Sequence, residues 1–391
     1  MPKRKNSRNA SGSGSVRQRK DGKWEGRYSN GVSPGTGKPI RKSVYGATQR
    51  EVVDKLTAIK AGIDAGTFIE PSKLTVSMWL NIWVAEYLGE VKQRTAQEYK
   101  GTCRLYLKHE VGASKLSALS AHMIQTMYNR LHKGVGEKSG LSPKTIKNIN
   151  GVLHKALQQA VEIGYLRFNP SEAVKLPRVE KKEIKPLDDE QITAFLTAIQ
   201  GHKWEAIYRV ATFCGLRQGE VLGLAWSSVD FDRGTTLIDR QLQTINGKYK
   251  IVPPKNDKSR RITPAPSVMA ILRSWRRRQM EWRLMAGSTW KNSGLVFTNS
   301  IGDNLSISTV YKDYKRLVAS IGIPEARFHD LRHTYAVASL QSGDDIKTVQ
   351  ENLGHHTSSF TLDVYGHVSE RMKLDSAARM ESFIKSVEKG G

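Results

Sequence analysis

The stretch Arg327–Tyr335 reads RFHDLRHTY and restricts the fold more than any other part of the sequence. His329 and Arg332 stand three residues apart, so both project from one face if a helix begins by Asp330. The guanidinium of Arg332 stays charged and matches two phosphate oxygens, whereas the imidazole of His329 exchanges a proton near neutral pH. The pair therefore suits chemistry on a phosphate group.

A zinc site is the alternative interpretation of this stretch. His329 and His333 are four residues apart, which is a spacing that metal ligands use. A third ligand could come from His355 or His356. The metalloprotease pattern requires Glu directly after its first His, and Asp330 stands there instead. We therefore predict that no metal is bound. A zinc site remains the alternative interpretation of the histidine spacing.

Two further stretches of the sequence contain residues that could act together with His329 and Arg332. Thr212–Trp226, TFCGLRQGEVLGLAW, places Arg217 at a predicted helix start, where free backbone N–H groups favour an anion, with Glu220 on the same face. Asn352–Val368, NLGHHTSSFTLDVYGHV, places Tyr365 ten residues after the Gly-His pair. A tyrosine alone would indicate a half-buried core residue. The occurrence of all three stretches in this order favours a reactive one.

Together these stretches resemble the tyrosine recombinase family, specifically the integrases of phages and integrative conjugative elements. That family has a first Arg in a GLR-x-GE context, a hairpin Lys, a His-x-x-Arg pair, a Leu-Gly-His and, shortly after it, a nucleophilic Tyr. The resemblance covers about residues 185–385. The catalytic residues it implies are Arg217, Lys255, His329, Arg332, His355 and Tyr365, supported by Glu220.

The position of the hairpin lysine is the least certain of these assignments on the sequence. Within PPKNDKSRRIT, residues 253–263, Lys255 is the better match to the family and Lys258 the weaker one. The resemblance implies that this lysine protonates the leaving 5′ oxygen, while His329 assists removal of the Tyr365 proton. It also implies that the reaction needs neither a metal nor ATP, so we expect no cofactor.

The composition agrees with a nucleic-acid partner. Lys and Arg number 62 against 37 Asp and Glu, a formal net charge of +25 that implies a polyanionic partner. A protein of an acidic membrane surface would also be basic, so charge alone does not select a nucleic acid. No window of about 18 apolar residues could span a bilayer. Cys103 and Cys214 are the only cysteines, so we expect no disulfides and a reducing compartment, the bacterial cytosol.

We predict a multidomain, mainly helical chain with small β-sheets. The predicted parts are a flexible basic arm at 1–14, a three-stranded β module with one helix that binds arm-type DNA at 15–66, a helical, SAM-like core-binding domain at 74–175, and a mixed α+β catalytic domain at 185–391 ending in a helix. Leu176–Pro186 is polar and flanked by prolines, which is typical of a linker.

Alternation and helical spacing predict the individual elements. Strands are expected at Ser15–Arg19, Lys23–Tyr28 and Ile40–Tyr45, followed by a helix that Thr48 and Glu51 begin. Further helices are expected at 95–109, 120–132, 143–163, 188–199, 204–214, 266–285, 306–320, 330–341, 345–353 and 370–387. One small antiparallel sheet is expected from Thr235–Gln241, Tyr249–Val252 and Arg260–Thr263.

Basic residues of the β module and of the helix at 143–163 are the candidate DNA contacts, although any solvated face could show the same pattern. They are Lys23, Arg27, Lys38, Arg41, Lys42, Lys144 and Lys147. The resemblance implies double-stranded attachment sites as the substrate, a homotetramer on DNA, an accessory excision factor and a host DNA-bending protein. It leaves open whether the 370–387 helix packs on its own protomer or on a neighbour.

Two other functions compete with a recombinase. A type IB topoisomerase shares the Arg, Lys, His and Tyr chemistry, but it has no need of a separate N-terminal DNA-reading module. A DNA-binding regulator on an integrase scaffold would have no need of Arg217, Arg332 or Tyr365, and all three are present.

Overall fold

The computed structural model describes residues 15–32, 36–64, 74–135, 138–180, 185–255, 257–354 and 370–388. The chain divides into two compact units, Met1–Glu180 and Lys181–Gly391. The division falls inside the stretch that the sequence predicts to be a linker. None of the helices within the described ranges is long and apolar enough to cross a membrane.

The first unit begins with a three-stranded sheet and a helix. The strands are β1 (Ser15–Gln18), β2 (Trp24–Val32) and β3 (Pro39–Gly46), antiparallel in the order β1-β2-β3, and the helix is α1 (Gln49–Asp64). The helix lies close to the sheet because Gly26 has no side chain. A Cβ there would stand 2.6 Å from a methyl carbon of Val52. The predicted strands and helix are confirmed.

A helical domain follows in the same unit. Its elements are α2 (Val76–Glu86), α3 (Gln93–Thr102), a π-helical turn (Cys103–Leu107), α4 (Lys108–Glu110), α5 (Ala121–Lys133), the two-residue strands β4 (Gly134–Val135) and β5 (Lys138–Ser139), and α6 (Pro143–Glu162). The Ser142 hydroxyl caps α6 by accepting from the Thr145 N–H at 3.2 Å. Trp79 is fully buried in this core, and its indole N–H donates to the Ala156 carbonyl oxygen at 2.8 Å.

The second unit alternates helices with short strands. Its helices are α7 (Asp189–Ala198), α8 (Glu205–Cys214), α9 (Gln218–Gly223), α10 (Pro266–Ala286), α11 (Ile307–Ser320), α12 (Asp330–Gln341), α13 (Ile346–Leu353) and α14 (Glu370–Glu388). Its strands are β6 (Val229–Asp230), β7 (Thr235–Ile238), β8 (Gln241–Ile245), β9 (Lys248–Val252) and β10 (Arg260–Ile262).

The prediction of one sheet from the segments between 235 and 263 is wrong. These strands belong to two sheets, one in the order β10-β7-β6 and one made of β8 and β9. The turn between β8 and β9 explains the difference. Asn246 and Gly247 have φ angles of 51° and 74°, which is the backbone of a tight hairpin turn. The turn pairs β8 with β9 locally and leaves β7 to pair with β10.

An aromatic core fixes the start of α12. Phe328 is buried, and its ring centroid lies 5.4 Å from that of Tyr314 and 6.3 Å from that of Tyr208. Leu331 is fully buried in the same core. Because these two side chains are held by packing, the residues beside them, His329 and Arg332, have fixed positions too.

The helical domain should depend on Trp79. Trp79→Ala removes a fully buried aromatic side chain and should lower the local free energy of unfolding by about 3–5 kcal/mol. Hydrogen exchange of the α6 amides in the full-length protein measures this quantity. Met78→Ala, on the same helix but 54% exposed, is the matched control and should leave the exchange nearly unchanged. Equal protection in the two variants would contradict the expected role of Trp79.

Candidate active site

Arg217 lies at the start of α9 and is held by Glu220. The Glu220 carboxylate accepts from the Arg217 backbone N–H at 3.0 Å and from its Nη1 at 2.7 Å. The Glu220 side chain has no solvent exposure, whereas that of Arg217 is 24% exposed. Glu220 therefore holds Arg217 in place, while the guanidinium of Arg217 stays partly exposed.

Two glycines of α9 let the helix lie directly on strand β8. A Cβ on Gly219 would stand 2.8 Å from the Leu242 carbonyl oxygen, and one on Gly223 would stand 2.7 Å from the Leu242 nitrogen. Only a residue without a side chain permits such an approach to backbone. The helix start that carries Arg217 is thus fixed against the β8–β9 hairpin.

Arg332 lies on the first turn of α12, on the inside of the unit. It is 1% exposed, and its Nη1 donates to the Gly215 carbonyl oxygen at 2.7 Å. Its Nη2 donates to the carbonyl oxygen of Leu353, the last residue of α13. A buried guanidinium is tolerated only when its donors are satisfied, and these carbonyls help to do so. Arg332 therefore connects the turn before Arg217 to the end of α13.

His329 stands immediately before α12, which begins at Asp330 as the sequence predicted. The residue is exposed to solvent, and the centroid of its ring lies 4.9 Å from that of His333. Desolvation by the atoms packed around it, followed by the charges of His333, Arg332 and Arg217, lowers its pKa to about 4. The ring is therefore neutral at pH 7 and able to accept a proton.

Arg260, the first residue of β10, is a member of this cluster that the sequence analysis missed. It donates to both oxygens of the Glu220 carboxylate, from Nη2 at 2.8 Å and from Nη1 at 3.2 Å. Burial opposes ionisation of Glu220, but the hydrogen bonds and charge of Arg260, with the charges of Arg217 and Arg332, lower its pKa to about 2. Glu220 is thus an anion held between two cations.

The structure describes only some of the other residues that the sequence predicts to be catalytic. Lys255 and Lys258 are both exposed in the segment that joins β9 to β10, so the choice between them stays a prediction. His355 and Tyr365 lie outside the described residues. The described chain reaches Gly354, which ends α13 in the left-handed conformation with φ of 63°.

The β module separates the predicted DNA contacts by face. Gly26 lies under α1, so its neighbours Glu25 and Arg27 project from the opposite, open face of β2. Glu25 accepts from Arg17 Nε at 2.7 Å and from Arg27 Nε at 3.1 Å, which adds Arg17 to this face. Arg41 pairs in register with Ser29 and shares the open face, whereas Lys42 pairs with Tyr28 on the covered face. The other candidates, Lys23, Lys38, Lys144 and Lys147, are exposed.

The predicted absence of a metal concerns the same region. Among the described residues, no group of three or more His, Cys, Asp or Glu side chains is placed to hold a metal ion. The third ligands considered for zinc, His355 and His356, lie outside them. The zinc alternative therefore needs an experiment.

The buried histidine of α12 should make stability depend on pH. Burial lowers the pKa of His333 from 6.5 to about 4, and its side chain is 6% exposed. The unfolded chain takes up this proton first, so the stabilisation is complete above pH 6.5 and falls by about 3 kcal/mol as the pH drops to 4. His333→Gln should remove this contribution and lower the pH dependence of the second unit by roughly half in calorimetric unfolding between pH 6.5 and 4, because His329 has a similarly lowered pKa and remains. His122→Gln, on the exposed surface of the helical domain, should leave it steep; an unchanged slope in His333→Gln would contradict the assignment.

Comparison with known proteins gives the same family for both sequence and fold. The sequence model of the phage integrase family matches residues 185–372. The tyrosine recombinase XerC-like protein of Caldanaerobacter subterraneus is 34% identical over 362 residues, covering 87% of this chain and 91% of that protein.

Two solved structures resemble the fold. The Tn1549 transposon integrase in complex with a circular intermediate DNA has a TM-score of 0.66 at 22% identity, over 78% of this chain and all of that one. A lambda integrase tetramer bound to a Holliday junction has a TM-score of 0.54 at 19% identity, over 88% of this chain and 96% of that one. With the site geometry and the XerC-like relative, these findings show that the chain belongs to the tyrosine recombinase family of site-specific DNA recombinases.

Proposed function

We propose that this recombinase cleaves and rejoins duplex DNA through a 3′-phosphotyrosine at Tyr365, and that it integrates or excises a mobile element. The observation that carries the proposal is that Arg217 lies close to the pair His329 and Arg332, which comes from a separate segment: Arg332 bonds the Gly215 carbonyl oxygen, and the charges of both arginines act on His329. Arg332 also bonds the Leu353 carbonyl oxygen at the end of α13. The next residues along the chain lead to His355 and Tyr365.

The two arginines would stabilise the transition state. A phosphodiester resists attack because it is already an anion, and the transition state concentrates further charge on its nonbridging oxygens. Arg217 and Arg332, with a hydrogen bond from His355, would bind those oxygens and stabilise the charge that they gain in the transition state. In other phosphoryl transfers one such arginine contributes about 10³–10⁵ in rate.

Proton transfers complete the step. The Tyr365 oxygen bonds to phosphorus while the bond from phosphorus to the 5′ oxygen breaks. The tyrosine proton passes to His329, and Lys255 gives a proton to the departing 5′ oxygen. A tyrosine with a pKa of about 10 needs such a base. The bound phosphate would raise the low pKa of His329, because a nearby negative charge favours the imidazolium.

The products, a phosphotyrosine and a free 5′ hydroxyl, retain the energy of the broken bond. Attack by the 5′ hydroxyl of another strand reverses the step and joins the two DNA molecules. The reaction therefore needs no ATP, and with two arginines on the phosphate it needs no metal ion.

DNA recognition and assembly follow from other surfaces. The open face of the β module, with Arg17, Arg27 and Arg41, would bind arm-type DNA, and the similar integrases, whose structures contain DNA, support duplex DNA as partner. We propose a homotetramer, since the similar lambda integrase is a tetramer on a Holliday junction. An excision factor and a DNA-bending host protein would act with it.

The C-terminal helix α14 would dock on a neighbouring protomer. Its exposed side chains include five apolar ones, namely Leu374, Met380, Phe383, Ile384 and Val387. A cavity of about 590 Å³ beside α12 and α13 offers an acceptor. Phe213, Tyr335 and Ala338 supply part of its apolar lining.

Covalent capture of DNA tests the chemistry. The wild-type protein is incubated with nicked duplexes of randomised sequence, and DNA that stays bound after denaturation is sequenced. We expect attachment at Tyr365, no adduct with Tyr365→Phe, and duplex binding that is nearly unchanged. Tyr311→Phe, an exposed tyrosine of the same unit, is the matched control and should form adduct as the wild type does.

The outcomes of that experiment separate the candidate functions. An adduct with Tyr365→Phe would refute the assignment of the nucleophile. Absence of any wild-type adduct, with binding retained, would indicate a non-catalytic regulator. Joining of strands from two differently marked duplexes distinguishes a recombinase from a type IB topoisomerase, which would only relax supercoils.

Removal of metal ions provides an independent check. Because the arginines take the place of a metal, treatment with EDTA should leave the rate of adduct formation unchanged. Inhibition by EDTA that added Zn²⁺ relieves would instead favour the zinc site at His329 and His333.

A further inference from the structure

Arg260 is not one of the residues that the family resemblance assigns to catalysis, yet its side chain joins three parts of the site. The side chain is 9% exposed, and its Nε donates to the Asn352 carbonyl oxygen at 2.6 Å. The other end of the guanidinium binds both oxygens of Glu220. One planar group therefore connects β10, the start of α9 and the end of α13.

The contact of Arg260 with the end of α13 extends to Gly354, the residue before His355. A Cβ on Gly354 would stand 3.0 Å from Arg260 Cδ and 3.2 Å from its Nη1, so the Arg260 side chain lies against the Gly354 backbone. The last two carbonyls of α13 each accept from an arginine, Asn352 from Arg260 and Leu353 from Arg332. His355 follows directly.

We propose that Arg260 is a positioning residue for strand cleavage, which sets the Arg217 guanidinium relative to the segment carrying His355 and Tyr365 without contacting DNA. This inference rests on the proposed phosphotyrosine chemistry. Its geometric basis is that Arg260 acts on Arg217 through Glu220 and on the nucleophile segment through Asn352 and Gly354. Small displacements of reacting groups reduce rates strongly.

Arginine is the residue type that this position requires. The planar fork reaches both carboxylate oxygens, and the remaining Nε points to a third acceptor on another element. A lysine would keep the charge but could not make the same set of directed bonds. Arg260→Met would leave Glu220 buried with Arg217 as its remaining direct ion-pair partner, which a buried carboxylate tolerates poorly.

The test uses the full-length protein and the nicked duplex recovered by covalent capture with the wild type. At saturating protein, Arg260→Met should form the Tyr365 adduct about 10–100 times more slowly, while its affinity for the duplex stays that of the wild type. Arg260→Lys should lie between the two. Arg261→Met removes the adjacent, exposed arginine, which bonds Thr235 Oγ1 at 3.2 Å, and should cleave at the wild-type rate.

The pH profile separates positioning from a general loss of structure. Burial raises the pKa of Glu220, and Arg260 contributes the first of the interactions that bring it to about 2. Without Arg260 the carboxyl should take up a proton as the pH falls, so the deficit of Arg260→Met relative to wild type should grow from pH 8 to pH 5. In a Glu220→Gln background, the same substitution should cause a deficit that does not change with pH.

Each outcome decides one question. No adduct with the wild type would refute the proposed chemistry rather than the role of Arg260. Wild-type cleavage by Arg260→Met would overturn the positioning role. Slow cleavage by Arg260→Met and Arg260→Lys with a pH-independent deficit and weaker duplex binding would also overturn it, because that pattern indicates a structural defect. A deficit that grows at low pH with unchanged binding would establish it.

Discussion

The buried carboxylate of Glu220 is the constraint on which the catalytic unit depends. An ionised carboxylate without solvent is costly unless its lone pairs are filled, and here four hydrogen bonds from Arg217 and Arg260 fill them. Those donors come from a helix start and from a strand. The folded state can satisfy Glu220 only by bringing these elements together, and in doing so it orients the exposed Arg217 guanidinium.

A carboxylate held by two arginines also occurs in the β module, where the arginine side chains are more exposed. In the β module Glu25 accepts from Arg17 and Arg27, and hydrogen bonds from Arg17, Ser43 and Arg27 lower its pKa to about 2. The two arginines there keep 58% and 46% of their side-chain exposure. A carboxylate between two guanidiniums can therefore present cations at a surface, as in this module, or fix buried segments, as at Glu220.

Local signals in the sequence predicted most helices because caps and apolar spacing act within one turn. Ser142 and Asp188 cap their helices, and Asp188 forms a reciprocal pair with Gln191. The single sheet was wrong because pairing depends on the turn, and the Asn246-Gly247 turn was the available signal. Long-range pairing is a property of the folded chain and leaves little trace in the sequence.

The residues of the candidate site likewise divide into those that local sequence motifs predict and those that they do not. Arg217, Glu220, His329 and Arg332 could be identified because each stands in a recognisable motif. Arg260 could not, since its partners, Glu220 and Asn352, are distant in the sequence and it stands beside another arginine. Lys255 and Lys258 remain hard to distinguish for a physical reason: both are exposed, and packing does not fix an exposed side chain.

The burial of Arg332 has a consequence for when the enzyme can act. At 1% exposure its guanidinium is covered, and it already donates to the carbonyl oxygens of Gly215 and Leu353. A phosphate could therefore reach it only after neighbouring atoms move. A free protomer would then be latent, because a phosphodiester outside a correctly engaged DNA site would find no complete anion site. Activity becomes conditional on whatever opens this cover, which ties the first chemical step to correct engagement of a DNA site. For a DNA recombinase, such latency would limit strand cleavage away from a correctly bound site.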